Sequence, residues 1–133
     1  MIALDTNILV RYITQDDELQ AKASEELLAK YDGENLSIFI NNIVLCELVW
    51  VLERGYKYSK EQIASTMRII FSTTEFAFEH HNILWLALED YENNKADFAD
   101  CLIAQINNHH GFSKTYTFDK SATMNNLFSL CNS

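Results

Sequence analysis

Two aspartates each close an apolar strand, at sequence positions far apart in the 133-residue chain. Asp5 follows Met1-Ile2-Ala3-Leu4 and precedes Thr6-Asn7; Asp119 follows Thr115-Tyr116-Thr117-Phe118. In open α/β sheets ligands bind at the carboxyl ends of strands. Carboxylates placed there point to a site for a hard cation and prompt a search for further oxygen ligands.

Glu47 is the first such candidate. It is the single charge in Ile43-Val44-Leu45-Cys46-Glu47-Leu48-Val49-Trp50-Val51-Leu52. At helical spacing its neighbours are Ile43, Val44 and Val51, so it is expected to project from a buried face. A lone buried carboxylate costs several kcal/mol unless it is paired or bound to metal. The alternatives are a partner Arg or Lys, or a position at the edge of the apolar stripe. Asp97 and Asp100 lie three apart in Ala96-Asp97-Phe98-Ala99-Asp100-Cys101-Leu102-Ile103-Ala104 and share a helical face. Asp97 can also be read as an N-cap and Asp100 as a first-turn acid, both stabilising without chemistry. Ile103 and Ala104 place Asp100 near the apolar stripe. Asp5 and Asp119 admit a capping role too.

The combination says more than its members. Four like charges, Asp5, Glu47, Asp100 and Asp119, share a pocket only with raised pKa values or a bound cation. Oxygen-only donors fit Mg²⁺ or Mn²⁺. Such centres promote phosphodiester hydrolysis by acidifying a bound water and neutralising phosphoryl charge.

The elements that must position these acids follow from the pattern. Strands are expected at 2–4, 36–40, 76–78 and 115–118, with a further one at 127–130. Helices are expected over 8–13, from the acidic start Asp16-Asp17-Glu18 to about Tyr31, over 43–54, after the capping box Ser59-Lys60-Glu61-Gln62, over about 82–91, and from Asp97 onward with Leu102, Ile103 and Ile106 as its stripe. A short helix is expected after Asp119. The three glycines, Gly33, Gly55 and Gly111, all fall at expected helix ends. Strands alternating with helices give a mostly parallel sheet with helices on both faces. No repeat or linker divides the chain, so one domain over 1–133 is expected.

Bulk properties narrow the function. A net charge of −9 argues against loose binding to nucleic acid through a basic face, though acids gathered on metal ions would invert the local field. Three scattered cysteines, Cys46, Cys101 and Cys131, read as reduced structural thiols in a cytosolic protein. No signal peptide or apolar span is expected, which leaves the membrane out. His80-His81 and His109-His110 are adjacent pairs whose members point apart, so neither makes a two-histidine face, and zinc is not expected. There is no glycine-rich phosphate loop, and no Ser or Cys nucleophile stands beside a base. Arg11 is placed to reach a substrate phosphate or to take part in packing or surface pairing. Arg54, Lys57 and Lys60 alternate with Tyr56 and Tyr58, which reads first as a solvated connection and second as a nucleic-acid contact.

Asp5-Thr6-Asn7, Glu47 in its apolar run, Asp97-Phe98-Ala99-Asp100 and Thr117-Phe118-Asp119 together resemble the PIN-domain nucleases, and within them the VapC-type toxins of toxin–antitoxin pairs. The likeness spans the chain in order and near the usual spacing. It implies a three-layer α/β/α sandwich and a Mg²⁺- or Mn²⁺-dependent endoribonuclease that cuts RNA with metal-activated water. It also implies a cytoplasmic homodimer inhibited by a cognate antitoxin. By position, Asp5, Glu47, Asp100 and Asp119 match the acidic quartet, and Asp97 an acid found in one subset. Thr6, Asn7 and Thr117 match polar residues that orient the carboxylates. Two other readings compete. A phospho-acceptor signalling domain would want an aspartate at the end of a middle strand, where none stands. A PIN-like module that only binds partners would not need all four acids.

Overall fold

The computed structural model describes residues 1–131. It comprises two compact units, one of Met1–Glu79 and a second beginning at His80.

The first unit contains β1 (Ile2–Ala3), α1 (Thr6–Thr14), α2 (Glu18–Ala29), β2 (Ile38–Ile40), α3 (Asn42–Arg54), α4 (Lys60–Ser72) and β3 (Phe76–Phe78). β1 and β2 are each followed by a helix pair that returns the chain to the same end of the sheet. The strands therefore pair in parallel in the order β1-β2-β3, with Ile2 opposite Ile38 and Ile38 opposite Phe76. Pairing continues one step past β1, where the Leu4 amide donates to the Phe39 carbonyl at 3.1 Å and so carries the chain to Asp5. Ile38 and Ile40 point into the core while Phe39 is partly exposed, the alternation of a strand. Leu9, Leu45, Leu48, Leu52, Ile63, Met67 and Phe71 complete the core. Each such side chain contributes roughly 1.5–3 kcal/mol on burial.

The helix starts expected from sequence are present. Asp17 Oδ1 accepts from the Gln20 amide at the head of α2, and Asn41 Oδ1 from the Val44 amide at the head of α3. Ser59 and Gln62 form the reciprocal capping box of α4. Helix α2 ends at Ala29, short of the expected Tyr31, and Gly33 sits in the turns beyond it with φ +82°. Gly55 closes α3 in a right-handed conformation. It is required there because a Cβ would meet the Val51 carbonyl oxygen at 2.9 Å.

The second unit contains α5 (His81–Asn93), α6 (Phe98–His109), β4 (Thr115–Thr117), a 3₁₀ turn (Ala122–Met124) and β5 (Phe128–Leu130). Helices α5 and α6 pack through Leu84, Leu88 and Tyr91 on one and Phe98 and Leu102 on the other. Tyr91 and Phe98 meet edge to face at 6.1 Å. β4 pairs with β5 in parallel, Thr115 opposite Phe128. Among the described residues all strand pairing is parallel, in a three-stranded set in the first unit and a two-stranded set in the second. The strands are only two or three residues long, and each set closes on its own neighbours.

One expectation about the helices is corrected. The stripe of α6 was expected at Leu102, Ile103 and Ile106. Its buried residues are Phe98, Cys101, Leu102 and Ala104, and Ile103 is 49% exposed. Cys131 is exposed, so only Cys101 is a fully buried thiol; all three cysteines are free.

Candidate active site

Strand order and helix starts set out the first group of residues. Asp5 leaves β1 and becomes the N-cap of α1, its Oδ1 accepting from the Thr6 amide at 2.7 Å. The side chain of Thr6 is buried and donates through Oγ1 to Glu47 Oε1 at 2.8 Å. Residues 41 positions apart are thereby joined, and the first turn of α1 is tied to the middle of α3. Asn7 is exposed in the same turn.

Glu47 itself is exposed, against the expectation of a buried carboxylate. The reason lies in the width of the apolar run. The buried face of α3 is Val44, Leu45, Leu48, Val49 and Leu52. Residues 43, 47 and 50 share another face, where Ile43 is 71% and Trp50 60% exposed. An apolar neighbourhood in sequence was not a buried one in space.

The second unit supplies three more acids. Asp97 occupies the N-cap position of α6, yet its side chain makes no capping hydrogen bond, so the helix start does not consume its carboxylate. Asp100 is half-buried one turn on. Its carboxyl titrates above the usual aspartate range, first because burial penalises the charge, then because Asp97 and Asp119 repel it. Asp119 is exposed and accepts from the Ser121 amide at 2.9 Å and the Ser121 hydroxyl at 2.6 Å. These bonds hold its carboxyl below the ordinary range. Thr117 Oγ1 accepts from the Asp119 amide at 3.0 Å, so it fixes the backbone that carries the acid.

A divalent ion suits this donor set. The candidate donors of each unit are carboxylate oxygens, the kind Mg²⁺ and Mn²⁺ prefer, and in the second unit Asp100 carries repulsion that a cation would relieve. Among the described residues no group of three or more His, Cys, Asp or Glu is gathered into a ready-made metal cage.

Arg11 resolves toward surface pairing. Its guanidinium meets Asp16 at 3.0 Å, Gln20 at 2.7 Å and the Tyr56 hydroxyl at 3.0 Å. That network also involves Tyr56 in the α3–α4 connection, the more structural of the two readings of that stretch. Glu79 escaped the sequence reading. It follows β3 and its Oε1 accepts from the Asn42 amide at 2.7 Å, an anion at the head of α3. Its position directly after Phe76-Ala77-Phe78 was the available signal. A cavity of about 530 Å³ in the first unit, lined by Tyr12, Leu28, Ile38, Phe76, Glu25 and Glu75 among others, contains none of the candidate acids.

A family model for the PIN domain matches residues 2–124, and the chain belongs to that family. A VapC ribonuclease of Aquifex aeolicus (strain VF5) is 28% identical to it over 102 residues, covering 77% of this chain and 75% of that protein. Among the described residues no helix is long and apolar enough to cross a membrane.

Proposed function

We propose that this chain is a VapC-type endoribonuclease, the toxin of a toxin–antitoxin pair, which hydrolyses RNA phosphodiesters with a divalent ion. The observation that carries the reading is family membership over nearly the whole chain together with likeness to a ribonuclease across three quarters of it. Span 1–133 is read as one functional domain, because the family match runs through both units.

Asp5 and Asp100 are assigned as principal metal ligands, with Glu47 and Asp119 contributing directly or through water and Asp97 as a further ligand. Bound Mg²⁺ or Mn²⁺ supplies a more acidic water and neutralises charge on the phosphoryl oxygens. The chain's own side chains prepare the ligands. Thr6 holds Glu47 by its hydroxyl, Ser121 holds Asp119 ionised, and Thr117 fixes the Asp119 backbone. Asn7, beside Thr6, is assigned an orienting role by position. Arg11 reaches an RNA phosphate only by leaving Asp16. The partners are RNA, a cognate antitoxin and a second copy of the chain, in the cytoplasm. The exposed Ile43 and Trp50 on α3 support an interface. The phospho-acceptor reading fares worse, since β2 and β3 are followed by Asn41 and Glu79 rather than an acceptor aspartate.

The test is cleavage of an RNA panel by purified protein with Mg²⁺ or Mn²⁺, against chelator and Asp100→Asn. Metal-dependent cuts that vanish in the variant support the reading. Intact RNA with folded, metal-loaded and antitoxin-free protein refutes it in favour of a binding-only module.

A further inference from the structure

The members of each adjacent histidine pair were expected to point apart, but His109 and His110 keep their rings 5.5 Å apart, edge to face, and His109 also approaches His80. His80 stands at the N-cap position of α5 and His109 in the last turn of α6. Their rings lie 5.7 Å apart between centroids, inclined at 57°. Nδ1 of His80 is buried and, among the described residues, has no hydrogen-bond partner. A polar nitrogen taken out of water and left unpaired costs free energy, and its retention calls for a ligand. His109 is exposed, which gives an ion a way in. Two imidazoles bound to one ion at about 2.1 Å per Zn–N bond have ring centres roughly 5–6.4 Å apart. The observed separation lies within that span.

We propose that His80 and His109 form a two-histidine site for a borderline transition metal, Zn²⁺ in the first instance, separate from the carboxylate centre. Imidazole selects Zn²⁺ or Cu²⁺, whereas Mg²⁺ keeps to oxygen, so the two centres sort their ions by donor type. Among the described residues no third His, Cys, Asp or Glu completes the set, so water fills the remaining positions. The α6 C-terminus favours a cation and the α5 N-terminus opposes one, which leaves the nitrogen donors to decide binding. A bound ion ties the start of α5 to the end of α6 and stabilises the folded chain by mass action. Acidification releases it, because protons compete for imidazole.

The test uses the full chain without a histidine tag. One equivalent of Cu²⁺ serves as a paramagnetic probe of nitrogen ligation, and Zn²⁺ binding is followed by calorimetry. Two-nitrogen coupling is expected in the wild type and is lost in His109→Gln, an exposed position where folding is spared. Zn²⁺ affinity in that variant falls at least on the order of tenfold, the scale that loss of an outer-shell partner alone can reach. His81→Gln, whose ring lies instead against Trp85, leaves both readouts unchanged, and Asp100→Asn leaves the nitrogen coupling unchanged. A copper spectrum with oxygen ligands only, or nitrogen coupling undiminished in His109→Gln, overturns the site. A loss of coupling in Asp100→Asn overturns its separation from the carboxylates.

Discussion

Asp100 is the residue whose titration reports on its neighbours. Its folded pKa lies above the usual aspartate range through burial and repulsion from Asp97 and Asp119. The native state therefore holds this proton where the unfolded chain has released it, and stability falls as pH rises through the window between the two values. In metal-free protein, Asp100→Asn should raise the melting temperature at neutral pH, and the gain should vanish below the ordinary aspartate range; differential scanning calorimetry against pH reads this. Asp119 behaves oppositely. Its pKa is lowered by Ser121, so its contribution is present at neutral pH and is lost on acidification. Ser121→Ala should raise the midpoint of the Asp119 carboxyl titration followed by NMR. In the cleavage assay, loss of a metal-ligand carboxylate should cost roughly 10²–10³-fold in rate, equivalent to several kcal/mol of transition-state charge stabilisation. The acids at strand ends were legible because a carboxylate after an apolar strand is a local pattern. The exposure of Glu47 was not, because burial depends on which helix face meets a neighbour, and Ile43 and Trp50 look the same in sequence whether packed or bare.

Helices and caps were the most legible scale, since each signal lies within a few residues. The Ser59 capping box and the β3 strand at Phe76–Phe78 stand where the sequence put them. Ser59→Ala should cost about 1 kcal/mol in urea unfolding, the usual worth of a lost N-cap. Gly55→Ala should cost about 1–3 kcal/mol by the same measurement, because the added methyl meets backbone rather than a movable side chain. The Thr6–Glu47 bond joins α1 to α3 across 41 positions and could not be read from either segment. Thr6→Val should lower the cleavage rate with little change in KM, as expected when a carboxylate is misdirected rather than lost. The shift of the α6 stripe to Phe98, Cys101 and Ala104 has the same origin as Glu47: a helical period gives several faces, and only the packing partner selects one.

At the scale of the molecule, a net charge of −9 leaves little room for binding RNA by its backbone alone. Raising monovalent salt from about 50 to 200 mM should weaken RNA binding less than about tenfold, far below the 10³–10⁵ of proteins that neutralise many phosphates. Titration of a fluorescent RNA with Mg²⁺ held constant measures it. A parallel fold was legible from the alternation of strands and helices. Its division into two ladders was not, because hydrogen bonding between strands as short as two residues leaves almost no sequence imprint. The register carries a kinetic consequence. Ile2 pairs with Ile38, and Ile38 with Phe76, so each link closes a loop holding two helices. Such non-local closure makes assembly slow relative to helix formation. During synthesis at about 5–20 residues per second, the strand bearing Asp5 waits some seconds for its partner to be made. Over that interval its apolar edge is open to other chains, and whatever covers it first decides whether the turn that carries Asp5 is ever built.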